Sequence, residues 1–424
     1  MTSGPEDASG AGRGDGPRFR TAHTSCGLGG IAALALVFVF TGCSPETVNA
    51  VTRGGTRVAS ETRDASGDRI AVPDGSGYRS DGSGIVDPSG NPFRIKAVSW
   101  YGLEQDFAPQ GLYAQNLDVI LGLIASSGFN TVRLTWSSQT LDPTSKPSNI
   151  NLNVNPDLAN VSPLELLDKI VARAGAHDLK IILSRHQSSA GTQDDVWFDA
   201  QYPTKRFIDD WVTLASRYAN TQTVIGCDLQ NDLRGVATWG DGNPSTDWRA
   251  AAESAGNAIL GVNATVLIFV QGIEKASDGS YYWRGGNLKD AQAHPVNLVH
   301  PDRLVYAAQD FPRTALNPPQ GMAPPWFSDP SFPENLPTSV WRQYWGYQLD
   351  SGPVLLSAFG MGLGQDPTDA PWLNALGQYI DDNPGLSFAY WALNPDENDV
   401  KGVLSDWSTV NTDVVNALQP ILSR

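Results

Sequence analysis

GFNTVRLTWS, residues 128–137, opens on a glycine and runs into a short β-branched and apolar stretch with Arg133 at its centre. It is one of eight short apolar, β-branched runs in the chain, most of them nearly continuous in apolar character. Near-continuous apolar character is the mark of a strand covered on both faces. Upstream, Leu117, Ile120, Leu121 and Ile124 share one helical face. Downstream, Ser162-Pro163-Leu164-Glu165 reads as a capping box with proline at the first helical position. It leads into Leu167, Ile170, Val171 and Ala174, again on one face, and then into a second apolar run, LKIILSRH (179–186). The unit is strand, helix, strand.

The same alternation extends in both directions. The predicted strands are Phe93–Trp100, Asn130–Trp136, Leu179–His186, Val224–Asp232, Val266–Gly272, Leu304–Asp310, Val354–Gly360 and Phe388–Asn394. Further helices are expected around Ile208, Trp211, Ala215 and Tyr218, over Trp248–Asn263, Trp341–Leu349, Trp372–Ile380 and Thr409–Leu422, and none after the fifth strand. Eight strands alternating with helices predict an α/β fold, a (β/α)8 TIM barrel, as a single domain over 84–424. An open doubly wound sheet would need a glycine-rich phosphate turn after the first strand. Trp100-Tyr101-Gly102-Leu103-Glu104 supplies none. In a barrel, chemistry collects where the strands end. The residues to inspect are Trp100, Arg133, Trp136, His186, Asn231, Asp232, Gln271, Gln309, Ala358 and Trp391. The long proline-rich stretch Pro312–Pro337 reads as a lid-like loop.

Ahead of the barrel the composition changes. Residues 1–43 carry Arg13, Arg18 and Arg20, then an apolar run from Gly27 to Gly42 of signal-peptide length, then Cys43. Phe40-Thr41-Gly42-Cys43 resembles a bacterial lipobox, with Cys43 the expected lipidated residue and mature N-terminus. Lipidation tethers a chain to a membrane surface without spanning it. Residues 44–83 are rich in Ser, Thr, Gly, Asp and Arg and read as a flexible linker. An extracellular or cell-envelope location follows as an expectation. Cys26, Cys43 and Cys227 exclude a disulfide framework, and Cys227 reads as an inert core thiol. The net charge of −16 argues against nucleic acid or anionic lipid as a partner. No metal or cofactor is implied, and the chain is expected to act as a monomer.

At the strand ends the chain resembles glycoside hydrolase family 5, the cellulase family, in its bacterial endoglucanase-like branch. The resemblance rests on IVDPSGNPFRIKAVSWYGLE (85–104), GFNTVRLTWS, LKIILSRH, VWFDAQYPTKRFIDDW (196–211), VATWGDG (236–242), YYWRGGNL (281–288) and FAYWALNPD (388–396). It implies an extracellular protein that handles a β-linked glycan of the β-glucan type. Arg133, His186, Asn231 and Trp391 would hold sugar, with Gln309, Trp100 and Trp239 as further substrate-binding residues. Such enzymes cleave O-glycosyl bonds with retention, using two carboxylates about 5–5.5 Å apart. Here the acid/base motif reads Asn231-Asp232-Leu233 and the nucleophile motif Ser357-Ala358-Phe359-Gly360.

Ala358 has no lone pair to attack with. Asp232 is shorter than glutamate by about 1.5 Å, and a misplacement of ~1 Å can cost on the order of 100-fold. The sixth-strand His-x-Tyr pair reads Gln309-Asp310-Phe311, and the first-strand loop reads Gln110-Gly111-Leu112-Tyr113. The changed positions are those that move protons or form bonds, and the retained ones hold sugar. The expectation is a pseudoenzyme or a strongly impaired one. The alternative is an active glycosidase or transglycosylase using Asp232 and a second carboxylate drawn from Glu104, Asp310, Asp396 or Glu397. Ser357 as a nucleophile would need an adjacent base that the pattern does not name.

Overall fold

The computed structural model describes residues 77–315, 322–364, 366–395 and 400–423, with two short paired strands, Thr62–Arg63 and Arg69–Ile70. Residues 1–43, with Cys43, and most of the predicted linker lie outside the described residues, as do Asp396 and Glu397. Eight strands form a closed parallel barrel: β1 (Lys96–Trp100), β2 (Thr131–Ser137), β3 (Lys180–Gln187), β4 (Val224–Asp228), β5 (Leu267–Gln271), β6 (Leu304–Gln309), β7 (Val354–Phe359) and β8 (Leu386–Tyr390). Each pairs with its sequence neighbours, and β8 closes the ring on β1 through Phe388–Lys96, Ala389–Ala97 and Tyr390–Val98. The fold class expected from the sequence is the one observed.

The helices are α1 (Leu117–Ser126), α2 (Pro163–Ala176), α3 (Thr204–Arg217), α4 (Trp248–Val262), α5 (Asp369–Asp382) and α6 (Thr412–Leu422). The capping box at α2 forms in both directions. The Glu165 amide donates to Ser162 Oγ at 3.3 Å, and the Ser162 amide donates to Glu165 Oε2 at 2.7 Å. Asn116 caps α1 by accepting from the Asp118 amide. On α1 and α2 the apolar faces read from the sequence are the buried ones: Leu117, Ile120, Leu121 and Ile124, and Leu167, Ile170, Val171 and Ala174.

Three predicted elements differ. Trp341–Leu349 is not one helix: a π-turn over Leu336–Trp341 runs into a single α-turn, and Trp345, at φ −154°, breaks it before a 3₁₀ turn over Gly346–Asp350. Thr409–Val410 pairs with Leu404–Asp406, so the last helix starts at Thr412. The fourth strand stops at Asp228, four residues short of Asp232, whose backbone takes φ +58° in the following turn.

The barrel interior is layered. Near the strand starts Ala97, Ile182, Leu267, Phe269, Val305, Ala307 and Leu355 form an apolar cluster. A hairpin, Arg79–Asp81 with Gly84–Val86, plugs this floor: Tyr78 and Ile85 join the same cluster, and Arg303 donates to the Tyr78 carbonyl. The folded body therefore begins upstream of Gly84, inside the predicted linker. Toward the strand ends the interior turns polar, with Ser99, Arg133, Ser184, Asp228, Gln271 and Gln309 all buried. That polar layer is the base of the site. Of Pro312–Pro337, residues 316–321 lie outside the described residues. The described remainder packs through Trp326, Phe327 and Phe332 against one another and against Tyr282 and Tyr344, as an aromatic wall.

Candidate functional site

The polar layer is organised by one buried ion pair. Arg133, from the middle of β2, donates from Nε (2.8 Å) and Nη2 (2.6 Å) to Asp228 Oδ2 at the end of β4. Both side chains are fully buried. A buried charge is tolerated only when paired and hydrogen-bonded. Asp228 is further held by the Ser184 hydroxyl at 2.8 Å and by Gln271 Nε2 at 3.1 Å. The remaining reach of Arg133 Nη2 goes to Asn231 Oδ1 at 2.7 Å. Asn231 is thereby fixed with its oxygen facing inward, where Gln271 and Gln309 also donate to it at 3.2 Å.

Asp232 sits on the rim of this network. Its left-handed backbone is a conformation that Asp tolerates better than most residues. Its Oδ1 accepts from Gln309 Nε2 at 2.7 Å, and its amide donates to Gln271 Oε1 at 3.3 Å. Gly285 lies directly over this amide cluster. A Cβ there would stand 2.4 Å from Gln271 Oε1 and 3.1 Å from Gln309 Nε2, on a backbone with φ +66°. Only glycine fits a position that combines that approach with that φ.

Above the network opens a cleft of about 300 Å³. Its walls include Tyr101, His186, Asn231, Asp232, Gln309, Ala358 and Trp391. Trp391 lies nearly parallel to two rings, Tyr101 with centroids 5.5 Å apart and His186 at 5.6 Å, each at 16°. Burial, with Arg133 nearby, pushes the His186 imidazole well below its ordinary value, so it is neutral, and its Nε2 has no hydrogen-bond partner among the described residues. Ala358, at the end of β7, presents only a methyl group.

The structure thus brings Arg133, Asn231, Asp232 and Gln309 into one hydrogen-bonded set, and His186, Ala358 and Trp391 onto the same cleft. Two predicted sugar-stacking residues are elsewhere. Trp100 is fully buried, with its indole donating to the Gln110 carbonyl at 2.9 Å. Trp239 is 4% exposed and donates to the His294 carbonyl at 2.8 Å. Neither has a face free for a ligand. Asp310 is also removed from the cleft. It points behind β6, where Trp341 (2.5 Å) and Trp372 (3.1 Å) donate to its Oδ2, and burial pushes its carboxyl up to about 7. Ser357 is buried with its hydroxyl on the Ala308 carbonyl, so it is no nucleophile. Cys227 is buried in the core as expected, its thiol pushed up by burial.

Among the described residues the cleft carries two carboxylates, Asp232 and Glu104. Glu104 accepts from the Gly102 amide at 2.9 Å and from the Thr135 hydroxyl, and burial raises its carboxyl above the usual range. Asp228 was not singled out from the sequence. Its only signal there is an acid at the end of the apolar run VIGCD, two strands along from the arginine of TVRLTWS. The set can grip hydroxyl-rich ligands through amides, a neutral imidazole and an indole, and it holds at most one proton donor on the β4 side.

Residues 86–397 match the cellulase (glycosyl hydrolase family 5) family. An endoglucanase of Paenibacillus polymyxa is 43% identical over 342 residues, 79% of this chain and 84% of that protein. The major extracellular endoglucanase of Xanthomonas campestris pv. campestris is 32% identical over 344 residues, 80% of this chain and 69% of that protein. Among solved structures, the hyperthermophilic endocellulase of the archaeon Pyrococcus horikoshii superposes with a TM-score of 0.75 at 32% identity, covering 82% of this chain and 99% of that one. A complex of a variant of that endocellulase with cellotetraose gives 0.76 at 32% identity, with the same coverage. With the family match, the shared barrel and these relatives together, the chain belongs to the cellulase family, glycosyl hydrolase family 5.

Proposed function

We propose that this protein binds a β-linked glucan-type glycan in the cleft, as a monomer, and that retaining hydrolysis is lost or strongly impaired. One observation carries the reading: the residue where the family resemblance sets the nucleophile is Ala358, whose methyl lines the cleft. A retaining mechanism requires a covalent bond to a second carboxylate about 5–5.5 Å from the acid, and a methyl group forms none. Asp232 adds support, because its Oδ1 is already engaged by the Gln309 amide. The sugar-holding side is supported by Trp391, His186 and the inward-held Asn231, and by the cellotetraose complex of the Pyrococcus horikoshii relative. The leader sequence ending in Cys43 supports export and a lipid anchor as part of the same proposal.

The test is product release from β-glucans, mannans and aryl β-glycosides by the purified protein, beside Asp232→Asn. The expected result is no release from either at ordinary glycosidase rates, with cellotetraose still bound. Release that disappears in Asp232→Asn overturns the reading.

A second reading has its own observation. Glu104 is a cleft carboxylate with a raised pKa, as a proton-transferring group requires, and the relatives are endoglucanases. Under that reading Glu104→Gln and Asp232→Asn each abolish turnover.

A further inference from the structure

Among the described residues, one cation faces the cleft with no counterion. Arg284 lines it, half-buried, and its Nε is buried with no acceptor among the described residues. Both cleft carboxylates already have donors: Asp232 takes the Gln309 amide, and Glu104 takes the Gly102 amide and the Thr135 hydroxyl. The backbone around Arg284 is fixed by its neighbours. The Gly285 amide donates to the Leu233 carbonyl at 3.2 Å, and the Gly286 amide to the Trp283 carbonyl at 2.8 Å. Gly285 packs on the Gln271–Gln309 amides. The Arg284 backbone therefore lies on the same side of the cleft as Asp232, which follows β4, and both residues line it. Trp391 follows β8, four strands away in the ring. The Trp391 wall is aromatic, and the opposite wall combines the Gln309 amide and the Arg284 guanidinium with the rings of Trp283 and Phe311. Ala358 and Gln309 bring no charge to the floor between them.

A guanidinium is a rigid fork of donors matched to a carboxylate, and a charge-assisted pair of this kind gains strength where water is partly excluded. We infer that the cleft selects an acidic β-linked glycan, with the carboxylate of a uronate unit seated on Arg284 against the Asp232 wall. The inference rests on the glycan-binding reading above and narrows it.

Calorimetry on the full purified protein tests it with three probes: cellotetraose, cellotetraose oxidised at C6 to carboxylates, and the methyl ester of that acid. At low salt the acid is expected to bind about tenfold more tightly than its ester, the difference shrinking as ionic strength rises. Arg284→Gln should bring the ratio of acid to ester affinity to about one, while Arg284→Lys keeps part of it. An equal affinity for acid and ester in the wild type overturns the inference. So does an undiminished preference in Arg284→Gln. If Arg284→Gln does not fold, the wild-type ratio and its salt dependence decide alone. Cellotetraose binding without preference for the acid removes this inference and leaves the proposed function standing. Binding of none of the three removes both.

Discussion

Arg133 does two jobs through one guanidinium. It neutralises Asp228 in the barrel interior, and it fixes the oxygen of Asn231 at the base of the cleft. Arg133→Ala leaves Asp228 charged and buried with only the Ser184 hydroxyl and the Gln271 amide. Breaking a buried pair in this way costs about 3–5 kcal/mol, a loss that urea unfolding reads directly. An unchanged urea midpoint would show that the barrel interior relaxes around the acid. The arginine was legible in the sequence because it stands in the family-like motif GFNTVRLTWS. Its partner was not, because an acid at the end of a strand looks like the first residue of a loop. Trp100 and Trp239 failed for a related reason. An indole at a strand end or in a loop motif has the same one-dimensional signature whether its ring lines a cleft or closes a core, and only the direction of the N–H separates the two.

The segment leaving β6 is clamped by Asp310. Its carboxyl receives the indole of Trp341 from the π-turn and that of Trp372 from α5, so one residue joins three elements behind the cleft wall. Burial raises this carboxyl to about 7. Below the ordinary carboxylate value both folded and unfolded states are protonated. Between that value and about 7, the unfolded chain releases a proton that the folded one keeps, so this group's contribution to stability falls as pH rises. Asp310→Asn retains an acceptor oxygen for the indoles and cannot ionise. The variant is expected to gain on the wild type across this window, on the order of a few kcal/mol. Thermal midpoints taken from pH 4 to pH 8 would show the two curves separating, and parallel curves would refute the assignment. Strand and helix periodicity revealed the strands on either side of this clamp. It gave no sign of the π-turn, because Trp341, Tyr344 and Trp345 read as one amphipathic face until the backbone at Trp345 turns away.

The eight-strand ring was readable from the sequence because most strands are nearly continuous in apolar character and each connection is helical or long. The floor plug was not. Tyr78 lies in a stretch whose Ser, Gly, Asp and Arg content has the composition of a linker, and one aromatic with one isoleucine does not change that average. Its role is set by what it covers: Tyr78 packs edge-on against Phe93 at 4.8 Å and closes the apolar cluster beneath the polar layer. Tyr78→Ala is expected to cost about 3 kcal/mol, at the low end for deleting a large buried aromatic. A urea midpoint within error of the wild type would show that the plug adds nothing.

The plug also fixes where the chain can be held. Arg79–Asp81 enters at the start of the strands, and the last helix ends beside them, with Lys96 Nζ donating to the Leu422 carbonyl at 2.7 Å. Both ends of the folded body therefore leave from the face opposite the cleft. Fused or immobilised through either end, the barrel is expected to keep its mouth unobstructed and its glycan affinity unchanged from free solution. Surface plasmon resonance on N- and C-terminally captured protein compares the two directly.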